Sequence, residues 1–290
     1  MSVANPWLER RVLCFAHQGG AREAPSSTLF AMQRALDVGA TAIELDVHQS
    51  VDGVLVVCHD ATIDRTSSLT GAIADHTAAD LAGADNAYWF VPGEGAVRGR
   101  PVEAYPYRGL APRDSRFGVA TLASVLDAFP GVPLNLDIKQ SAPQVAPYEA
   151  ALAAMLQVAG RSDDVIVASF NDASTRVFHE IAPEIGISPG ISTLTQVVQA
   201  IRSGEEPPRA PLAGAVALQV PCRVGGTWLV DDRLVEATHE LGLALHVWTV
   251  DDPKEMAELV DLGVDGIMTD VPSELAALLK RRGVSFGSGS

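Results

Sequence analysis

The chemistry available to this chain is concentrated in a few strand-like runs. Ala42-Ile43-Glu44-Leu45-Asp46-Val47 reads as a short apolar strand carrying two acids at alternate positions. Successive side chains of a strand point to opposite faces, so Glu44 and Asp46 point the same way. Two carboxylates side by side in an apolar run repel each other and resist desolvation, and a cation relieves both effects. In Leu134 to Lys139 the polar residues Asn135, Asp137 and Lys139 are spaced by two and share a face. Glu44, Asp46 and Asp137 together make an oxygen-only set of the kind taken by hard cations such as Mg2+ or Ca2+. The competing reading pairs these acids with arginines or loop caps. Lys139 beside them either meets a phosphate oxygen or forms a salt bridge to an acid.

His17 closes the apolar run Val12 to Ala16, and His59 closes another that begins at Val54 after an Asp52-Gly53 turn. As a pair flanking the acids they supply a general acid and a general base near neutral pH. Taken singly, each also reads as a satisfied structural histidine. His48 shares strand parity with Glu44 and Asp46 but falls at a turn, where it reads as a surface residue. His76, His179, His239 and His246 lack such a setting and read as structural. Gly19-Gly20 lets backbone N–H groups approach an anion, a feature of low specificity. Trp248 either stacks on a ligand or packs in the core. No Gly-x-Ser-x-Gly elbow and no P-loop occurs in the sequence, which argues against those hydrolase classes.

The elements that position these residues alternate along the chain. Strands are expected at Val12 to Ala16, Ala42 to Val47, Leu134 to Ile138, Val165 to Ser169, Gly186 to Ser188, Ala215 to Val220, Ala244 to Val250 and Gly266 to Thr269. Helices are expected between them, at Leu29 to Val38, Thr121 to Phe129, Tyr148 to Ala159, Ala173 to Ile181, Thr195 to Arg202, Asp232 to Leu241, Pro253 to Leu262 and Ser273 to Arg282. Eight strand–helix units in one chain predict a closed (β/α)8 TIM barrel, with a doubly wound open sheet as the alternative. Residues 66–118 break the rhythm and read as an insertion over one mouth of a single domain spanning 1–283, and 284–290 as a disordered tail. In a barrel of this kind the site lies at the C-terminal ends of the strands, where His17, Glu44, Asp46, Asp137, Lys139, Ser169, Gln219, Trp248 and Asp270 all fall.

Composition narrows the function classes. The 290 residues are 47% hydrophobic and carry a formal net charge of -15, which argues against nucleic acid or a polybasic membrane surface as partner. No run of about 18 apolar residues suggests a transmembrane span, and Met1 to Arg11 is too short and polar for a signal peptide. Three cysteines without zinc spacing read as reduced core residues of a cytoplasmic protein.

Several of these motifs recur together in one family. Ala16-His17-Gln18-Gly19, Pro25-Ser26-Ser27-Thr28-Leu29, Ile43-Glu44-Leu45-Asp46-Val47, Asp52-Gly53 and Cys58-His59-Asp60 resemble, in order and spacing, the opening of the glycerophosphodiester phosphodiesterase family. Leu134 to Lys139, Ser169-Phe170, Val247 to Val250 and Gly263 to Pro272 resemble its later signatures. The resemblance implies a TIM barrel that hydrolyses small-molecule glycerophosphodiesters to sn-glycerol 3-phosphate and an alcohol. It implies a divalent metal, Mg2+ or Ca2+, on Glu44, Asp46 and Asp137, an acid–base pair in His17 and His59, and substrate contacts from Gln18, Lys139 and Trp248. In related enzymes the substrate's own hydroxyl attacks phosphorus and water opens the cyclic phosphate. Three positions depart from the family pattern: Gln18 replaces an arginine, Ser26-Ser27 a Glu-Asn pair, and Asp137 a glutamate. A glutamine hydrogen-bonds a phosphate oxygen but brings neither charge nor a bidentate fork, which makes Arg22 and Arg65 candidates for the missing charge. The alternatives are a lysophospholipase D-like enzyme, for which Tyr88-Trp89-Phe90 is the apolar hint, and a non-catalytic phosphodiester-binding protein.

Overall fold

The computed structural model of the chain describes residues 5–139 and 145–284; the expected tail beyond 284 and the first four residues lie outside them. The strands are β1 (Leu13–His17), β2 (Ala42–Gln49), β3 (Leu134–Ile138), β4 (Val165–Ala168), β5 (Gly186–Ile187), β6 (Ala217–Pro221), β7 (Ala244–Trp248) and β8 (Gly266–Thr269). All neighbours pair in parallel, running β5-β4-β3-β2-β1-β8-β7-β6. The last seam closes through a single bridge, Ile187 to Ala215, with Ile187 N–H donating to Gly214 and Val216 N–H to Ile187. The sheet is a closed (β/α)8 barrel rather than an open doubly wound sheet.

Helices α1 (Leu29–Asp37), α2 (Leu122–Ala128), α3 (Glu149–Val158), α4 (Asp172–Ile181), α5 (Ile191–Ser203), α6 (Asp232–Glu240), α7 (Pro253–Leu262) and α8 (Pro272–Arg281) surround it. Local caps start most of them: Thr28, Thr121, Asn171, Asp231 and Asp252 each accept a backbone N–H of the first turn. Helices α3, α5 and α8 have no such local cap, and α5 begins a turn before the expected Thr195. Its first-turn donors Ser192 N–H and Thr193 N–H are satisfied by the carboxylate of Asp172 on α4, a cap the local sequence does not contain.

Two apolar clusters fill the space between strands and helices, and a third, with Leu13, Phe15, Ile166 and Met268, fills the barrel. Trp7, on the short helix Pro6–Glu9, plugs the N-terminal mouth and is 2% exposed. Asn5 fastens that plug by donating to the carbonyls of Val216 and Gly242. His246 sits in the same interior, its ring 5.0 Å from Phe15 and its Nδ1 3.4 Å from Gln219 Nε2. Burial pushes its pKa from 6.5 down to about 3. A histidine depressed in this way contributes stability that is fully present above 6.5 and is lost as pH falls through the window toward 3. Urea unfolding between those limits is expected to show wild type losing more stability than His246→Gln, by a few kcal/mol. Parallel losses would assign the acid sensitivity to other groups.

After β2 the chain turns back as an antiparallel strand, Leu55–Val57, before entering the long excursion that ends at Thr121. That excursion has its own small cores: Cys58, Ile63, Ile73 and Leu81, and Phe117 stacked on Phe30 of α1. Tyr88, Trp89 and Tyr105 surround the Arg108 guanidinium at 4.2, 4.7 and 3.7 Å, a set of cation–π contacts. These side chains lack helical or strand periodicity because they converge on one cation and one ring stack rather than on a regular face.

Candidate active site

Register decides which polar side chains meet. His17 pairs with Glu44, Glu44 with Asn135, and Asp46 with Asp137. His17, Glu44 and Asn135 therefore share one level of the barrel, and Asp46 and Asp137 lie side by side one level nearer the C-terminal mouth. A cavity opens there, lined by His17, Glu44, Asp46, His59, Asp137 and Lys139 on one side and by Phe170, Ile191, Leu194 and Trp248 on the other. None of its lining residues comes from 66–118.

Each histidine is held by an acid. His17 Nδ1 lies 2.6 Å from Asp270 Oδ1, and His59 Nδ1 lies 2.6 Å from Asp60 Oδ1. An ionised carboxylate only accepts, so Nδ1–H is the donor in both pairs and Nε2 is left for chemistry. Asp60 is fixed by Arg65 at 2.6 Å, and both hydrogen bonds hold its carboxyl below the usual carboxylate range. Asp270 is fixed through its backbone, its N–H donating to Asp251 Oδ1. The two imidazoles stand 6.3 Å apart between centroids, nearly perpendicular. His48 is buried in β2 with its Nε2 3.3 Å from the carbonyl of His59, so it belongs to the support of that histidine rather than to the surface.

The acids are more deeply placed. Burial raises Glu44 to about 8, with Asp46 adding to the rise, and burial likewise raises Asp137. For His17, burial would lower the pKa, but the charges of Glu44 and Asp270 outweigh it and bring it to about 9. Lys139 Nζ bridges Asp46 Oδ1 and Asp137 Oδ2 at 2.9 Å each. Asp46 Oδ2 and Asp137 Oδ1 are buried with no hydrogen-bond partner. Among the described residues no three acidic, histidine or cysteine side chains already stand in a metal-holding arrangement. The Lys139 ammonium stands between two of the three acids. Two orphaned carboxylate oxygens beside the buried carboxyl of Glu44 are a donor set that fits a hard cation.

Gln18 lies outside the cavity lining. It is buried in the left-handed region, φ 52°, its N–H donates to Glu44, and its side-chain nitrogen is 3.2 Å from His17 Nε2. The Gly19 and Gly20 N–H groups are spent on the carbonyls of Ala16 and His17, so they offer no anion site. Both glycines are needed for packing: a Cβ on Gly19 would lie 3.0 Å from Ala31 Cβ, and one on Gly20 2.9 Å from Pro272. The start of α8, a common phosphate seat in such barrels, is capped by Glu23, which accepts from Ser273 N–H. Arg22 is turned to Gly93 and Asp251, and Arg65 to Asp60, so neither lines the cavity. Lys139 is the non-titrating cation at its wall. The roles of Asp270, Asp60 and the Phe170 wall were not assigned from sequence, although Asp270 falls at a strand end, where barrel chemistry is placed.

All three cysteines are unpaired and buried, and burial pushes the Cys14 and Cys58 thiols up to about 12, as inert core residues. Among the described residues no helix is long and apolar enough to cross a membrane.

Comparison with known proteins agrees with this geometry. A model of the glycerophosphoryl diester phosphodiesterase family matches residues 17–274. A glycerophosphodiester phosphodiesterase of Caldanaerobacter subterraneus is 29% identical over 94% of this chain and 100% of its own length. One from Bacillus subtilis is 30% identical over 90% of this chain and 84% of its own. Among solved structures, a glycerophosphodiester phosphodiesterase from Agrobacterium tumefaciens superposes with a TM-score of 0.68 at 25% identity, covering 91% of this chain and 99% of that one. An Oleispira antarctica phosphodiesterase, solved with the product sn-glycerol-3-phosphate, has the same fold with a TM-score of 0.70 at 20% identity, covering 93% and 97%. With its barrel, its strand-end acids and a family match from the first histidine to the last helix, the chain belongs to the glycerophosphoryl diester phosphodiesterase family and is a phosphoric diester hydrolase.

Proposed function

We propose that this enzyme hydrolyses glycerophosphodiesters to sn-glycerol 3-phosphate and an alcohol, with His17 and His59 exchanging protons and a divalent ion, Mg2+ or Ca2+, on Glu44, Asp46 and Asp137. The observation that carries the reading is the convergence of three acids, Lys139 and two acid-oriented histidines on one cavity at the C-terminal mouth. The product bound by the Oleispira antarctica protein supports the same product here. When bound, the cation polarises phosphoryl oxygens and offsets charge that develops on them. Lys139 supplies a second positive charge to those oxygens. One histidine Nε2 takes the proton of the substrate hydroxyl as it bonds to phosphorus, and the other gives a proton to the departing alkoxide; the two roles then reverse as water adds to phosphorus and one ring P–O bond breaks, giving sn-glycerol 3-phosphate. Asp60 and Asp270 keep Nδ1 protonated so that Nε2 faces the substrate. Part of the rise in the His17 pKa comes from Glu44, so neutralising that carboxylate returns His17 toward the range in which it both gives and takes a proton at neutral pH. Trp248 and Phe170, in edge contact at 5.7 Å, offer an apolar surface opposite the charged wall.

Residues 1–283 are taken as one catalytic domain with 66–118 inserted in it, and the unpaired buried cysteines support a cytoplasmic setting. The deciding assay is release of sn-glycerol 3-phosphate from glycerophosphocholine with Mg2+ or Ca2+ present. No release from any small glycerophosphodiester sinks the reading. A lysophospholipase D-like activity is favoured by one observation, the half-exposed Phe170 and Ile191 at the lip of the cavity. Tyr88, Trp89 and Phe90 lend it nothing, since they pack inside the insertion. Turnover of lysophosphatidylcholine in the same assay separates the two.

A further inference from the structure

We infer that Lys139 is a placeholder for the cation: its ammonium bridges Asp46 and Asp137, and metal loading displaces it from both carboxylates. The inference rests on the metal reading above and goes beyond it, because it makes Lys139 a two-position residue whose engagement with substrate depends on loading.

Three observations support it. First, Lys139 Nζ makes its two contacts of 2.9 Å to the same two carboxylates that carry the orphaned oxygens Asp46 Oδ2 and Asp137 Oδ1. Each carboxylate thus spends one oxygen on the ammonium and leaves the other unused. A divalent ion using those acids and an ammonium at the same spot are like charges at short range, and in a buried site that repulsion is poorly screened. Second, an ammonium has three donors. With two given to carboxylates, Lys139 has at most one for a phosphate oxygen, and much of its charge is already compensated. Third, the surroundings suit a residue that moves. Asp46 is 1% exposed and fixed in β2, whereas the Lys139 side chain is 20% exposed one residue beyond the end of β3, with the Phe170 ring 5.5 Å from Nζ. Burial of acids without a counter-charge is costly, so a metal-free barrel needs some cation at this place, and the chain carries its own.

The sequence makes the test unusually direct. Lys139, Lys254 and Lys280 are the lysines of the chain, and the latter two are exposed on α7 and α8. Reductive methylation with labelled formaldehyde, followed by peptide mass spectrometry, gives the rate at each lysine, with Lys254 and Lys280 as internal controls. In EDTA, Lys139 is expected to react about tenfold more slowly than the controls, because its nitrogen is seated between two carboxylates at 2.9 Å and shielded from the reagent until that contact opens. Adding CaCl2 or MgCl2 is expected to raise the Lys139 rate several-fold and leave the controls unchanged. Calorimetric titration of the same protein with each chloride reports whether metal binds at all. Binding accompanied by an unchanged Lys139 rate overturns the displacement and leaves the metal reading standing. Absence of binding for both ions overturns the metal reading and this inference with it.

Discussion

His17→Ala and His59→Ala are each expected to lower kcat by about 10²–10⁴-fold, with the thermal melting temperature close to that of wild type. Both side chains reach into the cavity from strand ends, 19% and 38% exposed, so neither supports the core. What each loses is a proton carrier whose Nε2 is aimed by an acid at 2.6 Å. The same logic grades a third variant. Asp270→Asn keeps the size of the side chain but no longer demands a proton on His17 Nδ1, so it permits the wrong tautomer. It is expected to lower kcat by at least about tenfold with little change in KM, a pattern in keeping with orientation rather than substrate binding. His17→Ala turning over at near the wild-type rate would remove His17 from the mechanism, and the corresponding result for His59→Ala would remove His59.

Stripping divalent ions is expected to have an effect at least as large: about 10³-fold or more in turnover, restored by Mg2+ or Ca2+. Members of this family generally use a divalent metal, and the acid set is poorly satisfied without one. Glu44 is pushed up to about 8 by burial and by Asp46, and two neighbouring carboxylate oxygens lack partners. Asp46→Asn is the matching substitution. It preserves shape in a position 1% exposed while removing the charge central to the set. It is expected to abolish the response to added metal as well as turnover, measured by the same glycerol 3-phosphate assay with and without EDTA. Full activity in EDTA, in protein shown by elemental analysis to be free of divalent ions, would exclude the metal from the reaction.

Much of this site was legible before any coordinate. The spacing by two within Glu44-Leu45-Asp46 and Asn135-Leu136-Asp137 fixed which acids share a face, because strand periodicity is a local property of the backbone. The alternation of apolar runs with capped helical segments likewise predicted eight strands, since caps such as Thr28 and Thr121 act within three residues of the N–H groups they accept. The early start of α5 escaped that reading because its cap, Asp172, belongs to another helix.

The sequence by itself determined the barrel, the three acids on one face, the two histidines at strand ends and the family they resemble. All of these follow from local periodicity and ordered motifs. Tertiary structure alone decided how those residues are used. It set Asp46 beside Asp137 through register, gave each histidine its carboxylate from residues 253 positions away or one position on, turned Gln18 toward His17 and out of the cavity lining, and seated Lys139 between two acids. Such pairings are set by strand register and by competition among many charges for a few buried places, and neither quantity is encoded in any single stretch of the chain.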